Sequence, residues 1–169
     1  MPADLLLLHG FTQTGASWDG LGRALGPRYR ALAPDLGAGP WEAELDRLEA
    51  LAPAEPAAAG LGGAGAGPAH DRGRYVLAGY SMGGRLALAL ALRRPERVRR
   101  LVLVSASPGL ADGEERAARR AADDALAERI EAMGVEAFAR EWAAQPLFAG
   151  QSAAVAALAH EDRLRRSAA

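Results

Sequence analysis

Cysteine and lysine are both absent from this 169-residue chain. Without cysteine there is no disulfide framework, no thiolate nucleophile and no cysteine-based metal site. Without lysine there is neither a Walker lysine for phosphate nor a Schiff-base amine, and all 20 basic residues are arginine. Neither sign of charge is in surplus. Twenty basic against 21 acidic residues leave a formal net charge of -1, which argues against nucleic-acid binding, because phosphate contacts need a basic excess. No apolar run is long enough for a bilayer, and the opening Met1-Pro2-Ala3-Asp4 ahead of Leu5 lacks the basic flank and length of a signal peptide. A cytoplasmic protein with no membrane insertion and no nucleic-acid partner is expected. The sequence does not set its oligomeric state.

Half of the residues are hydrophobic, enough for one domain with a real core. Four short apolar runs stand out, each ending in a loop signal: Leu5–Leu8, Arg30–Ala33, Tyr75–Ala78 and Leu101–Val104. Unbroken apolar runs without polar alternation point to strands covered on both faces, as in a parallel sheet. Helical stretches lie between them, Trp41 to Leu51 and Gly83 to Arg94, the second closed by Pro95. The alternation predicts right-handed βαβ crossovers and an α/β fold.

After Ser105 the strand pattern stops. Asp112 with Glu115 makes a capping box that opens a charged helix to about Ala132, and Gly134 ends it. A second helical piece carries Phe138 and Trp142, Pro146 breaks it, and Ser152 to Arg166 can form a third. The expected organisation is an α/β core over residues 1–110 and an incomplete helical lid over residues 111–169. Pro53 to Gly73 is rich in Ala, Gly and Pro and reads as a flexible connection. It contains Gly60-Leu61-Gly62-Gly63-Ala64-Gly65, formally a dinucleotide fingerprint, but no strand leads into it and no helix clearly follows. No cofactor-binding site is assigned there.

Gly79-Tyr80-Ser81-Met82-Gly83 is a G-x-S-x-G placed where an apolar strand gives way to a helix. A strand turning sharply into a helix needs small flanking residues. Such a turn lifts the Ser81 hydroxyl above the sheet at the positive end of the helix, where developing negative charge is favoured. The plainer alternative is a glycine-rich turn with an ordinary capping serine. His9-Gly10-Phe11 directly follows the first strand, and His9 reads as a strand-end residue rather than a catalytic base.

Together, Leu-His-Gly-Phe, Pro34-Asp35-Leu36 and Gly-Tyr-Ser-Met-Gly-Gly-Arg, in this order, resemble the α/β-hydrolase superfamily. The resemblance narrows on Ser105-Ala106-Ser107-Pro108-Gly109-Leu110, on Glu115-Arg116 with Arg119 and Asp123, and on Trp142-Ala-Ala-Gln-Pro-Leu-Phe148. These look like the MenH family, the 2-succinyl-6-hydroxy-2,4-cyclohexadiene-1-carboxylate synthases of menaquinone biosynthesis. The likeness runs through nearly the whole chain and is weakest at Pro53–Gly73. It implies an α/β-hydrolase-type, mostly parallel sheet whose last strands are missing here. It also implies a lyase that eliminates pyruvate from a small-molecule polycarboxylate substrate, with no cofactor and no metal. The serine, activated by a His–Asp pair, removes a carbon-bound proton. By position, Ser81 is the catalytic serine and Tyr80 lies beside it. Arg85, Arg119 and Arg163 match the carboxylate-binding arginines, and Trp142 matches the lid tryptophan. The backbone N–H groups of Phe11 and Met82 match the oxyanion hole.

The arginines also have a reading of their own. Arg85 lies four residues after Ser81, so it can face the same site, and its planar fork binds a carboxylate through two hydrogen bonds. The alternative is an Arg85 held by a structural carboxylate such as Asp35. Arg119 sits one turn before Asp123, where a solvated ion pair is as good an account. Arg163 belongs to a basic stretch with Arg165 and Arg166, and Trp142 could simply pack a helical core.

The sequence departs from the family where the base should be. The expected chain order is Ser, then Asp or Glu, then His. The only downstream histidine is His160, in the third lid helix, while His70 and His9 precede Ser81. The Asp35-Leu36-Gly37-Ala38-Gly39 loop also lacks the usual Pro-Gly-His. A C-terminally truncated member with little or no synthase activity alone is therefore expected. The rivals are a general carboxylesterase or thioesterase and a catalytically dead remnant.

Overall fold

The four apolar runs become four parallel strands. In the computed structural model, which describes residues 3–53 and 73–165, these are β1 (Ala3–Leu8), β2 (Tyr29–Leu32), β3 (Tyr75–Tyr80) and β4 (Val98–Val104). Their order across the sheet is β2-β1-β3-β4, and every neighbouring pair is parallel. Leu8 lies opposite Gly79, Gly79 opposite Leu103, and Tyr80 opposite Val104. This register brings the carboxyl ends of β1, β3 and β4 to one rim of the sheet.

Parallel strands need crossovers, and the helices supply them. α1 (Asp19–Leu25) lies between β1 and β2, α2 (Trp41–Leu51) follows β2, and α3 (Met82–Arg93) joins β3 to β4. The run Leu5 to Leu8 has no polar alternation because both faces of β1 are covered. Leu6 and Leu8, with Leu77 of β3, pack against Leu45 and Leu48 of α2 and Leu86, Ala87 and Leu90 of α3. Leu5, Leu7 and Ala78 point the other way, toward Trp18, Leu25 and Ala33. Outside this core, Arg93 of α3 and Arg94 directly after it reach Glu42, Asp46 and Glu49 of α2 through exposed ion pairs. Such pairs stabilise by about 1 kcal/mol at most.

α4 (Gly113–Met133) starts at the expected cap, with Asp112 Oδ1 accepting the N–H groups of Glu114 and Glu115 at 2.9 Å each. It buries none of its residues. α5 (Val135–Ala143), a short 3-10 turn (Pro146–Phe148) and α6 (Ala153–Leu164) follow, the last capped by Ser152. No described helix is long and apolar enough to cross a membrane.

One expectation needs amendment. Double-sided burial holds for β1 and β3 but not for β2 or β4, because these are edge strands with a neighbour on one side only among the described residues. α1 was not foreseen: Gly20 and Gly22 dilute its apolar pattern, and none of its residues is buried. Of the expected flexible connection, Pro53 to Gly73, residues 54–72 with the glycine fingerprint lie outside the described residues.

Candidate active site

The rim at the carboxyl ends of β1, β3 and β4 is where the chemistry-bearing residues collect. Ser81 stands between β3 and α3 with φ 52° and ψ -114°, a conformation that L-residues avoid. Holding it costs about 1–3 kcal/mol, so the surroundings must enforce it. They do so from both sides. The Ser81 N–H donates to Val104 O at 2.9 Å, and its carbonyl accepts from Gly84 N at 3.1 Å and Arg85 N at 3.2 Å.

The glycines of the motif are spatial necessities. A Cβ on Gly79 would lie 2.3 Å from Gly83 O, and one on Gly83 would lie 2.3 Å from Leu8 O. The first turn of α3 therefore rests directly on the ends of β3 and β1. The Ser81 side chain makes no capping hydrogen bond, unlike an ordinary N-cap serine. Met82 is the first residue of α3, so its N–H is one of the four that a helix start leaves without an intrahelical partner.

His9 is fully buried, and its ring bonds to two backbone groups. Leu36 N–H donates to Nε2 at 2.8 Å, which makes Nε2 the acceptor and puts the proton on Nδ1, 2.9 Å from Gly10 O. His9 thus ties the end of β1 to the loop after β2, as a strand-end residue should. That loop is pinned again by Glu44, which accepts Gly37 N–H at 3.0 Å and pairs with Arg47 at 2.7 Å. The bond from Arg47 holds the Glu44 carboxyl below its ordinary value, against the opposing effect of burial.

After His9 the chain passes through Phe11 and Thr12, the latter with φ 66°. Phe11 meets Trp142 edge-on, with ring centroids 5.4 Å apart, and meets Phe138 at 6.3 Å. Trp142 also stacks with Phe138 at 5.4 Å and approaches Phe148 at 6.5 Å. All three phenylalanines of the chain and Trp142 make one cluster joining the loop after β1 to α5 and the turn behind it.

The three arginines meet three fates. Arg163 is 6% exposed, with Nε 3.4 Å from Thr12 Oγ1 and its guanidinium 5.2 Å from the Phe148 ring centre. No carboxylate among the described residues lies within ion-pair distance of it. Burial pulls its pKa below the ordinary arginine value, with the Asp162 charge acting in the other direction. Arg85 is exposed and lies 5.9 Å above the Trp41 ring; Asp35, the carboxylate considered for it, instead accepts Gly15 N–H at 2.7 Å. Arg119 is exposed and grips both oxygens of Asp123, at 2.8 and 2.9 Å. Tyr80, half-buried at the end of β3, leaves no room for a side chain at Gly10: a Cβ there would meet its ring at 2.7 Å.

Sequence reasoning missed Thr14 and Asp162. Asp162 accepts Thr14 N–H at 2.9 Å and the Thr14 hydroxyl as well, and both residues are buried. The one available signal was a carboxylate directly preceding Arg163. Charge patterning alone assigns such a residue to solvent.

Among the described residues, no group of three or more His, Cys, Asp or Glu side chains could hold a metal ion. What the rim offers is a hydroxyl on a strained bend, free backbone N–H groups beside it, and a buried cation next to an aromatic wall. Such a set can bind an anion and stabilise an oxyanion.

Comparison with known proteins agrees with this fold. The alpha/beta hydrolase family model matches residues 5–169. A 2-succinyl-6-hydroxy-2,4-cyclohexadiene-1-carboxylate synthase of Klebsiella pneumoniae is 42% identical over 81 residues, covering 48% of this chain and 32% of that protein. A pimeloyl-[acyl-carrier protein] methyl ester esterase of Nitrosomonas europaea is 38% identical over 110 residues, covering 62% of this chain and 38% of that one. Among solved structures, MenH from S. aureus superposes with a TM-score of 0.78 at 24% identity, covering 98% of this chain and 62% of that chain. The chain thus spans less than two fifths of these two curated relatives in the matched regions.

Proposed function

The chain belongs to the alpha/beta hydrolase family, and from that premise we propose that it carries the substrate-gripping part of a menaquinone-pathway lyase. The reaction is elimination of pyruvate from a polycarboxylate cyclohexene to give 2-succinyl-6-hydroxy-2,4-cyclohexadiene-1-carboxylate. The observation that carries this reading is Arg163, a guanidinium 6% exposed, with no carboxylate within ion-pair distance among the described residues. A buried charge without a counter-ion is expensive, and an incoming carboxylate removes that cost. Arg85, over Trp41 and equally without a carboxylate, offers a second fork near the start of α3. The synthase among the relatives is named for a product that is itself a carboxylate.

In this reading Ser81 is the catalytic residue, with Tyr80 beside it. The N–H groups of Phe11 and Met82 face the developing oxyanion, and Trp142 closes the substrate side under a lid formed by α4 to α6. The Ser81 hydroxyl has no hydrogen-bond partner among the described residues, so none of these draws off its proton. A serine without its histidine is a poor base and a poor nucleophile. The 169-residue chain alone therefore turns over little or no substrate.

A carboxylic-ester hydrolase is the second reading, favoured by the 38% identity to the esterase over 62% of this chain. A neutral ester has no use for a buried cation, so one titration separates the two. Succinate, added as a dicarboxylate probe while tryptophan fluorescence is followed, is expected to bind saturably to the wild type. Arg163→Ala should bind it at least tenfold more weakly, the loss expected when a charge-assisted hydrogen-bond pair disappears. Absence of saturable binding in the wild type, or an unchanged affinity in Arg163→Ala, sinks the lyase reading. Pyruvate release by the purified chain at a rate abolished in Ser81→Ala overturns the proposed inactivity.

A further inference from the structure

We infer that Asp162 is a positioning residue: through Thr14 it clamps α6 onto the loop after β1, setting Phe11 and Arg163 relative to each other. The inference rests on the lyase reading for what those two residues bind, but the clamp itself rests on geometry.

Asp162 and Thr14 are 148 positions apart in sequence, and both are buried, at 8% and 4% exposure. One carboxylate oxygen takes the Thr14 N–H at 2.9 Å and the other takes the Thr14 hydroxyl. That hydroxyl also accepts Ala16 N–H at 3.2 Å, so Thr14 caps the turn Gly15–Trp18 while it is held. The next residue, Arg163, reaches Thr12 Oγ1 at 3.4 Å. Two consecutive residues of α6 therefore hold alternate residues of a single loop, and Phe11 directly precedes the first of them. A buried carboxylate needs donors to offset its lost hydration, and Thr14 supplies two from one residue.

The placement is otherwise paradoxical. A carboxylate beside an arginine that is to grip an anion opposes the incoming charge. If Asp162 acted only through its charge, neutralising it would tighten anion binding. As a clamp it has the opposite sign, because releasing the loop separates Phe11 and Arg163 and weakens binding. The sign of one substitution therefore decides between the two roles.

The test uses the 169-residue protein and the variants Asp162→Asn, Thr14→Val and Thr14→Ser, with two readouts. Hydrogen exchange of the Thr14 amide, followed by nuclear magnetic resonance, should accelerate about tenfold or more in Asp162→Asn, as the loss of a hydrogen bond to a charged group requires. Succinate affinity should fall about tenfold in both Asp162→Asn and Thr14→Val, and Thr14→Ser, which keeps the hydroxyl, should behave as the wild type. Tighter succinate binding in Asp162→Asn, or unchanged Thr14 exchange, overturns the clamp. Should Asp162→Asn fail to fold, Thr14→Val decides by the same affinity criterion, since it leaves the carboxylate in place. If the wild type binds no succinate while Thr14 exchange still accelerates, the carboxylate reading fails and the clamp stands.

Discussion

β1 and β4 carry nearly the same kind of apolar residues and live in opposite surroundings. Leu5 to Leu8 of β1 are 0–6% exposed, whereas Val102, Leu103 and Val104 of β4 are 41–45% exposed. β1 has a strand on each side and packed residues on both faces, while β4, among the described residues, pairs with β3 alone. An apolar run thus encodes a strand, but its burial is decided by what the rest of the fold puts beside it. The same contrast separates the two ends of the molecule. α2 and α3 each bury leucines against the sheet, but α4, at 21 residues, buries none.

Substitutions can break this comparison or sharpen it. The largest effect is expected from the β1 side: Leu6→Ala removes a side chain of 0% exposure from the core and should lower stability by about 2–5 kcal/mol in denaturant unfolding. A loss below about 1 kcal/mol would mean that β1 is not the better-packed strand. Next comes Gly83→Ala, whose methyl must enter a gap bounded by Leu8 and His9 backbone oxygens at 2.3 and 2.4 Å. Backbone cannot give way as a side-chain tip can, so a loss of about 3 kcal/mol is expected by the same measurement. The smallest effect belongs to β4. Leu103→Lys should change unfolding stability by less than about 1 kcal/mol while reducing self-association in light scattering, because a charged edge discourages strand pairing. Equal destabilisation by Leu103→Lys and Leu6→Ala would erase the distinction.

Acid offers a finer probe of the buried half. Glu44 has its carboxyl lowered from 4.5 by the Arg47 bond, so the folded state binds that proton less readily than the unfolded chain. Its stabilisation is present above 4.5 and drains away as pH falls below 4.5 through the lowered value. Glu44→Gln should therefore flatten the stability–pH curve between pH 4.5 and lower pH, and an unchanged curve would show the pair to be idle.

How much of this was legible beforehand follows the same division. The strands, α2, α3, the Asp112 cap and the Ser81 elbow could be read because each is written in adjacent residues: an apolar run, a cap, a glycine pair. Ser81 was found because steric crowding at a tight bend forces glycine into nearby positions. Asp162 and Thr14 were invisible, since a contact between residues 148 apart leaves no local pattern. Arg119 shows the converse limit. Its spacing from Asp123 encodes an ion pair, and the ion pair is what the helix makes. Nor can an apolar run announce whether its strand will stand at an edge, which is why the exposure of β4 had to be seen.

Thr12, Ser81 and Ser105 are the non-glycine residues with positive φ among those described, at 66°, 52° and 50°. Each follows the carboxyl end of a strand, so the conformational tension of the scaffold is gathered along one border and kept out of its interior. Anyone seeking a hardier version of this fold would begin there, exchanging Thr12 or Ser105 for glycine. The melting point gained would be drawn from the very margin on which the hydroxyl stands, making toughness and chemistry rivals for the same few residues.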